Sequence, residues 1–99
     1  MADVLLTLHC ATADADSIID AMRTATRVPL HVRAETVHGR DFGDAGASEQ
    51  VTATLNRSAI ECIDDETTIE TILGTLASAR RRSPLRWHLT PVTARGRIA

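Results

Sequence analysis

Leu30-His31-Val32-Arg33-Ala34-Glu35-Thr36-Val37 changes character at every step: Leu30, Val32, Ala34 and Thr36 fall to one side, His31, Arg33, Glu35 and Val37 to the other. A period of two is that of a strand, here with one polar face. The segment that follows, His38-Gly39-Arg40-Asp41-Phe42-Gly43-Asp44-Ala45-Gly46-Ala47-Ser48-Glu49-Gln50, holds three glycines, alternating charges and the only Phe of the chain. It is too long for a tight hairpin, and a connection of that length usually has a use. Val51 to Ile63 then resumes as a second strand, with Ser58, Ile60 and Cys62 on one face and Ala59, Glu61 and Ile63 on the other. Asn56-Arg57 interrupts its pattern and predicts a bulge or a bend there. Two strands therefore follow one another with only a long loop between them.

On the N-terminal side, Val4-Leu5-Leu6-Thr7-Leu8-His9-Cys10 is apolar nearly throughout and reads as a central strand covered on both faces. Thr12 or Asp14 offers an N-cap to a helix from Ala13 to about Thr26, whose apolar stripe is Ala15, Ile18, Ile19, Met22 and Ala25. Val28-Pro29 ends it. On the C-terminal side, Asp64-Asp65-Glu66 supplies caps to a second helix with the stripe Ile69, Ile72, Leu73, Leu76 and Ala77. Arg80-Arg81-Arg82 stands at its negative pole and Ser83-Pro84 stops it. Leu85 to Val92 is a last strand, placed at a sheet edge by Pro91, and Thr93 to Ala99 is a short basic tail.

The order is βαββαβ, in which two right-handed βαβ units interleave into a four-stranded antiparallel sheet with both helices on one face. The fold class is α+β, ferredoxin-like, and residues 1–99 form one domain. Apolar residues such as Leu5 and Val37 are expected on the face the helices leave open, which predicts an oligomer.

With 99 residues, 43% apolar and 24% charged, the chain is long enough for a single core. A net charge of −2 predicts no nucleic-acid partner. All 11 basic residues are Arg, which excludes a Schiff-base or P-loop lysine and makes any anion contact a planar guanidinium one. Aromatic residues are 2% of the chain, so a stacking platform for bases or a flat cofactor has little to work with, and no cofactor is expected. Met1-Ala2-Asp3-Val4 lacks the basic and apolar regions of a signal peptide, and no segment approaches membrane-spanning length. Two distant cysteines without ligand spacing complete the expectation of a reduced, cytoplasmic protein.

Several short motifs together resemble the PII-like superfamily of trimeric regulators. They are Val37-His38-Gly39, Ser58-Ala59-Ile60-Glu61-Cys62, then Asp65, Ile69, Glu70 and Ile72, Leu89-Thr90-Pro91-Val92, and Arg97-Ile98. Glu49-Gln50-Val51 and Trp87 to Val92 bring the chain closest to a small branch of that superfamily without an assigned function. The resemblance implies a homotrimer with inward-facing sheets and ligand clefts between subunits. Those clefts would be lined by Gly39 to Gln50, Arg80 to Pro84 and Thr93 to Ala99. It further implies a regulatory or sensor module of signal transduction that binds and does no chemistry of its own, so the chain is not expected to be an enzyme. The chain departs from the nitrogen-regulatory proteins at the turn before the last strand, where Arg80-Arg81-Arg82-Ser83-Pro84 replaces a Gly-rich phosphate cradle. The loop is also shorter and lacks a Tyr. The resemblance therefore carries over neither ATP binding nor uridylylation.

The expected ligand-binding residues are His38, Gly39, Arg40, Arg80, Arg81 and Arg82, converging on an anionic small molecule. Three arginines at a helix C-terminus are also what the macrodipole alone would favour. The loop 38–50 is the expected docking segment for a larger partner, a membrane transporter or an enzyme, and is expected to be the most mobile part of the chain without it. His9, Cys10, His38 and His88 fall toward the loop end of the sheet, and His31 and Cys62 toward the other, which excludes a Cys10–Cys62 disulfide. Soft-metal ligation by the first four, as in copper-tolerance proteins, is one alternative. It is opposed by the opposite facing of His9 and Cys10, and no metal site is expected. The other alternative is an enzyme on the dimeric α/β-barrel fold that shares this element order, with Trp87 and His88 in an enclosed pocket.

Overall fold

In the computed structural model, residues 2–38 and 54–99 are described. Strand β1 (Asp3–Ala11) leads through a 3-10 turn (Thr12–Asp14) into helix α1 (Ala15–Ala25), and strands β2 (His31–His38) and β3 (Thr54–Asp65) follow. Helix α2 (Glu66–Ala77) and strand β4 (Arg86–Val92) complete the sequence. The sheet is four-stranded in the order β2-β3-β1-β4, and each of its pairs is antiparallel. This is the α+β, ferredoxin-like arrangement expected.

The apolar side chains of one pleat decide where the helices lie. Leu6, Leu8, Cys10, Ile60 and Cys62 are fully buried with Ile18 and Met22 of α1 and Ile69 and Ile72 of α2. Fully burying one such aliphatic side chain contributes about 1.5–3 kcal/mol, so this single layer holds the helices to β1 and β3. Ala77, assigned to the α2 stripe from spacing, is exposed one residue beyond Leu76, the last buried position.

The helix ends differ in a way the sequence did not reveal. Asp65 caps α2, its carboxylate accepting the Thr68 N–H at 2.8 Å. Asp14 stands at the N-cap of α1 but makes no side-chain cap bond, and neither does the 3-10 turn have one. At the other end of α1, the Thr26 N–H bonds Met22 O at 3.1 Å. The Thr26 hydroxyl donates to Asp64 Oδ2 at 2.8 Å, tying the helix exit to β3.

The bulge expected at Asn56-Arg57 is absent. Pairing passes without a skipped residue from Val32↔Ile60 through Glu35↔Arg57 and Thr36↔Asn56 to His38↔Thr54, and β1 pairs in step as far as Ala11↔Arg57. The break in hydrophobic pattern reflects what covers the strand, since Arg57 lies on the helix-free side directly across from Glu35. Residues 51–53, expected to begin this strand, fall outside the described residues. Strand β4 is an edge, as Pro91 requires.

The helix-free side carries the apolar residues expected of it, Leu5 and Val37 among them and both partly exposed, but they are a minority there. Leu5 and Ile63 lie there only half-buried, and most of the side is polar: Thr7, His9, Arg33, Glu35, Arg57, Glu61 and His88. Both faces of a central strand can be covered, as the near-continuous apolarity of β1 suggested. Thr7 is 3% exposed without a helix above it, because neighbouring side chains of the same sheet close over it.

Candidate functional site

Helix α2 ends in a turn whose geometry is set from elsewhere in the chain. Ser78 N–H bonds Thr75 O at 3.2 Å and Ala79 N–H bonds Leu76 O at 3.1 Å, tightening its last turn. Arg81 Nη1 reaches back to Leu76 O at 3.4 Å and Ala79 O at 3.3 Å, a cation on the carbonyls at the helix's negative end. Asp14, 4% exposed, accepts the backbone N–H of Arg82 at 2.9 Å and of Ser83 at 3.0 Å. One carboxylate thus joins the start of α1 to the turn that enters β4. Ala13, Asp14 and Ser17 border a cleft of about 440 Å³ with Arg80, Arg81 and Arg82.

The structure therefore brings Arg80, Arg81 and Arg82 together, and adds Asp14, which sequence reasoning took for a helix cap. His38 is exposed and ends β2, the outermost strand on the opposite side of the sheet. Gly39 and Arg40, and the mobility expected of the loop, lie outside the described residues.

A second cluster occupies the helix-free side. Glu61 accepts from the Thr7 hydroxyl at 2.9 Å and from Arg33 Nη1. His9 Nδ1 pairs with Glu35 Oε1, and its ring stacks on His88 with centroids 5.9 Å apart. The hydrogen bonds from Arg33 and then Thr7 hold the Glu61 carboxyl below its ordinary range. Of the four residues weighed as soft-metal ligands, only His9 and His88 meet. Cys10 is buried on the helix side, its thiol donating to Ser58 O at 3.7 Å, and His38 ends the far edge strand. Among the described residues no group of three or more His, Cys, Asp or Glu is placed to hold a metal ion.

A third feature lies at the end of the sheet away from the loop. The tail folds back so that Arg95 Nη1 donates to Ile63 O at 2.9 Å while its Nε lies 3.0 Å from Asp3 Oδ2. Between this strap and the α1–β2 connection is a groove of about 650 Å³, with Leu5, Val28, Pro29 and Ile63 as apolar walls and His31, Glu61, Arg95 and Arg97 about them. No sequence signal pointed to it, because it depends on where the tail turns.

The thiols are not activated. Burial pushes Cys62 up to about 11, with Asp64 adding to it, and burial likewise raises Cys10, with Asp14 adding to it. Both cysteines are free. The described side chains thus offer guanidinium groups and a satisfied carboxylate at the arginine turn, imidazoles paired with a carboxylate on the helix-free side, and inert thiols. Among the described residues no helix is long and apolar enough to cross a membrane.

Such a domain belongs to the ferredoxin-like class, small and α+β, with one sheet face free of helices. Within that class the chain belongs to the DUF3240 family, "Protein of unknown function", whose model matches residues 1–99. A crystal structure of a DUF3240 family protein from Shewanella baltica is similar over 100% of this chain and 99% of its own, with a TM-score of 0.79 at 15% identity. A putative PII-like signaling protein from Thermus thermophilus is similar over 93% of this chain and 91% of its own, with a TM-score of 0.62 at 14% identity. A Bacillus cereus protein related to NIF3 matches 97% of this chain with only 26% of its own length, at 10% identity and a TM-score of 0.73. No curated protein matches the chain. The fold expected from the motifs is thus present, shared with a putative PII-like signaling protein and with a member of a family described as of unknown function.

Proposed function

We propose that this protein is a small PII-like regulatory or sensor module that acts by binding, not catalysis, and that works as a homotrimer in the cytoplasm. Its ligand is an anionic small molecule held at the arginine turn, and the loop 38–50 engages a larger partner such as a transporter or an enzyme. One observation carries this reading: a buried carboxylate, Asp14, fixes the backbone of Arg82 and Ser83, so that Arg80 to Arg82 border a cleft from a set position. A turn meant only for solvation has no need of such an anchor. His38, Gly39 and Arg40 would form the second wall, contributed by a neighbouring copy, since within one chain His38 belongs to the opposite edge strand.

The three arginines do not have equal parts. Arg81 is occupied by the carbonyls of α2, so Arg80 and Arg82 are the main anion contacts. Each charge-assisted hydrogen bond to a phosphate or carboxylate contributes about 1.5–3 kcal/mol. The negative end of α2 opposes the ligand, so more than one guanidinium group is needed to hold it. Calorimetry with inorganic phosphate and a panel of adenine nucleotides tests the site. Binding by the parent that falls at least ten-fold in Arg80→Ala and Arg82→Ala is expected. Binding that ignores both changes, or none by the parent, removes the anion reading and leaves the loop as the binding element.

A further inference from the structure

We propose that the groove beneath the C-terminal tail is a binding site for a small aliphatic carboxylate, whose alkyl chain lies along Leu5, Val28 and Ile63 and whose head meets Arg97. The site is at the end of the sheet away from the arginine turn. It stands on other residues and does not depend on that turn.

The groove exists because the tail is fixed at two points. Arg95 Nη1 donates to Ile63 O at 2.9 Å, and Arg95 Nε lies 3.0 Å from Asp3 Oδ2. These contacts hold the tail to the start of β1 and the end of β3, so that Gly96 and Arg97 line the opening from a set place. At about 650 Å³ the space falls within the usual range of small-molecule sites, about 300–1,000 Å³. Its walls are apolar. Leu5 and Ile63, paired across β1 and β3, line it together with Val28 and Pro29 of the α1–β2 connection. Leu5, Val28 and Ile63 are each only half-buried, and an alkyl chain laid along them would complete their removal from water.

Charge selects the head group. Arg95 is already matched by Asp3. Arg97 is exposed and forms no salt bridge among the described residues, which leaves one guanidinium unanswered. Glu61 also lines the groove, but its carboxylate is taken up by Arg33 and the Thr7 hydroxyl, and His31 stands directly across from it. One unanswered cation matches a monoanion, whereas a dianionic phosphate would exceed it. A planar guanidinium receives a carboxylate through two parallel hydrogen bonds. The body of the ligand follows from the wall chemistry. Among the described residues no aromatic side chain lines the groove, so a flat ring has nothing to stack on, and a flexible alkyl chain suits Leu, Val, Ile and Pro.

Titration of the parent with butanoate, hexanoate and octanoate, read by calorimetry and by amide NMR shifts, tests the site. One ligand per chain is expected, with affinity rising about four-fold for each methylene added. Octanamide, which has the same length without the charge, should bind at least ten-fold more weakly than octanoate. Arg97→Ala should lose at least ten-fold for octanoate and Arg97→Lys should recover part of that loss. Both variants should keep the parent's far-UV circular dichroism, because Arg97 is exposed in the tail. Amide shifts should gather at Leu5, Ile63, Arg95 and Gly96. No binding by the parent, affinity that is flat along the series, or parent-like affinity in Arg97→Ala overturns the proposal. Arg80→Ala and Arg82→Ala should leave octanoate binding as it is. Shifts confined to residues 80–83, with loss of binding in those two variants alone, also overturn it and assign the carboxylate to the arginine turn.

Discussion

The same two central strands present opposite chemistries on their two sides. Toward the helices, β1 and β3 show Leu6, Leu8, Cys10, Ile60 and Cys62, all at or below 1% exposure. Away from them, within one residue of each, they show Thr7, His9, Ala59 and Glu61. The first side is held by contact area, which is tolerant of direction, and the second by hydrogen bonds, which are not. The comparison teaches that a strand can be central without two apolar faces, provided its second face closes over itself with paired polar groups.

The contrast is broken most severely on the apolar side. Ile60→Ala leaves a void between β3 and both helices and should cost about 2–5 kcal/mol, measured by urea unfolding. A loss no larger than that of a surface substitution would mean that the helices repack freely. Next comes the polar anchor at the edge of the core. Asp14→Ala deprives the Arg82 and Ser83 amides of their acceptor and should cost about 1–3 kcal/mol. It should also speed hydrogen exchange at those two amides specifically. Unchanged exchange there would show that the turn stands without its anchor.

The smallest effect belongs to the open side and is read against pH. Glu61 is held below its ordinary range by Arg33 and Thr7, so its contribution is present above the unfolded carboxylate value of about 4.3 and is lost as pH falls through the folded value. Glu61→Gln should therefore lower stability slightly at neutral pH and less in acid, narrowing the gap to the parent below the glutamate range. A gap that widens in acid would reverse the sign and place the stabilising interaction on the protonated form. The pair is half-exposed at Arg33, which keeps the effect modest.

Local signals were enough for the element order and most of each helix stripe, read from periodicity, and for the acidic cap of α2 and the edge position of β4, read from single residue types such as Asp65 and Pro91. They failed where two distant segments meet. Asp14 looks like a helix cap by spacing, and only the approach of residues 82 and 83 turns its carboxylate elsewhere. The pairing of His9 with Glu35 and of Thr7 with Glu61 requires the register of three strands, which no single strand contains. Arg57 looked like an interruption because its cross-strand neighbour, Glu35, is far away in sequence. The exposure of Val32, Trp87 and Leu89 was not legible either, since it follows from how narrow a strip of the sheet two helices can cover.

Strand β3 is 12 residues long and runs from Thr54 to Asp65, the cap of α2. At about 3.3 Å per residue it spans roughly 40 Å. Pairing on β1 begins only at Arg57, so Thr54 to Asn56 continue past the body of the sheet with β2 alone beside them. Without a bulge there is no joint along its length at which a tug could be dissipated. A force applied to that projecting tip is delivered along one stiff rod to Asp65, at the mouth of the helix whose far end carries the arginines.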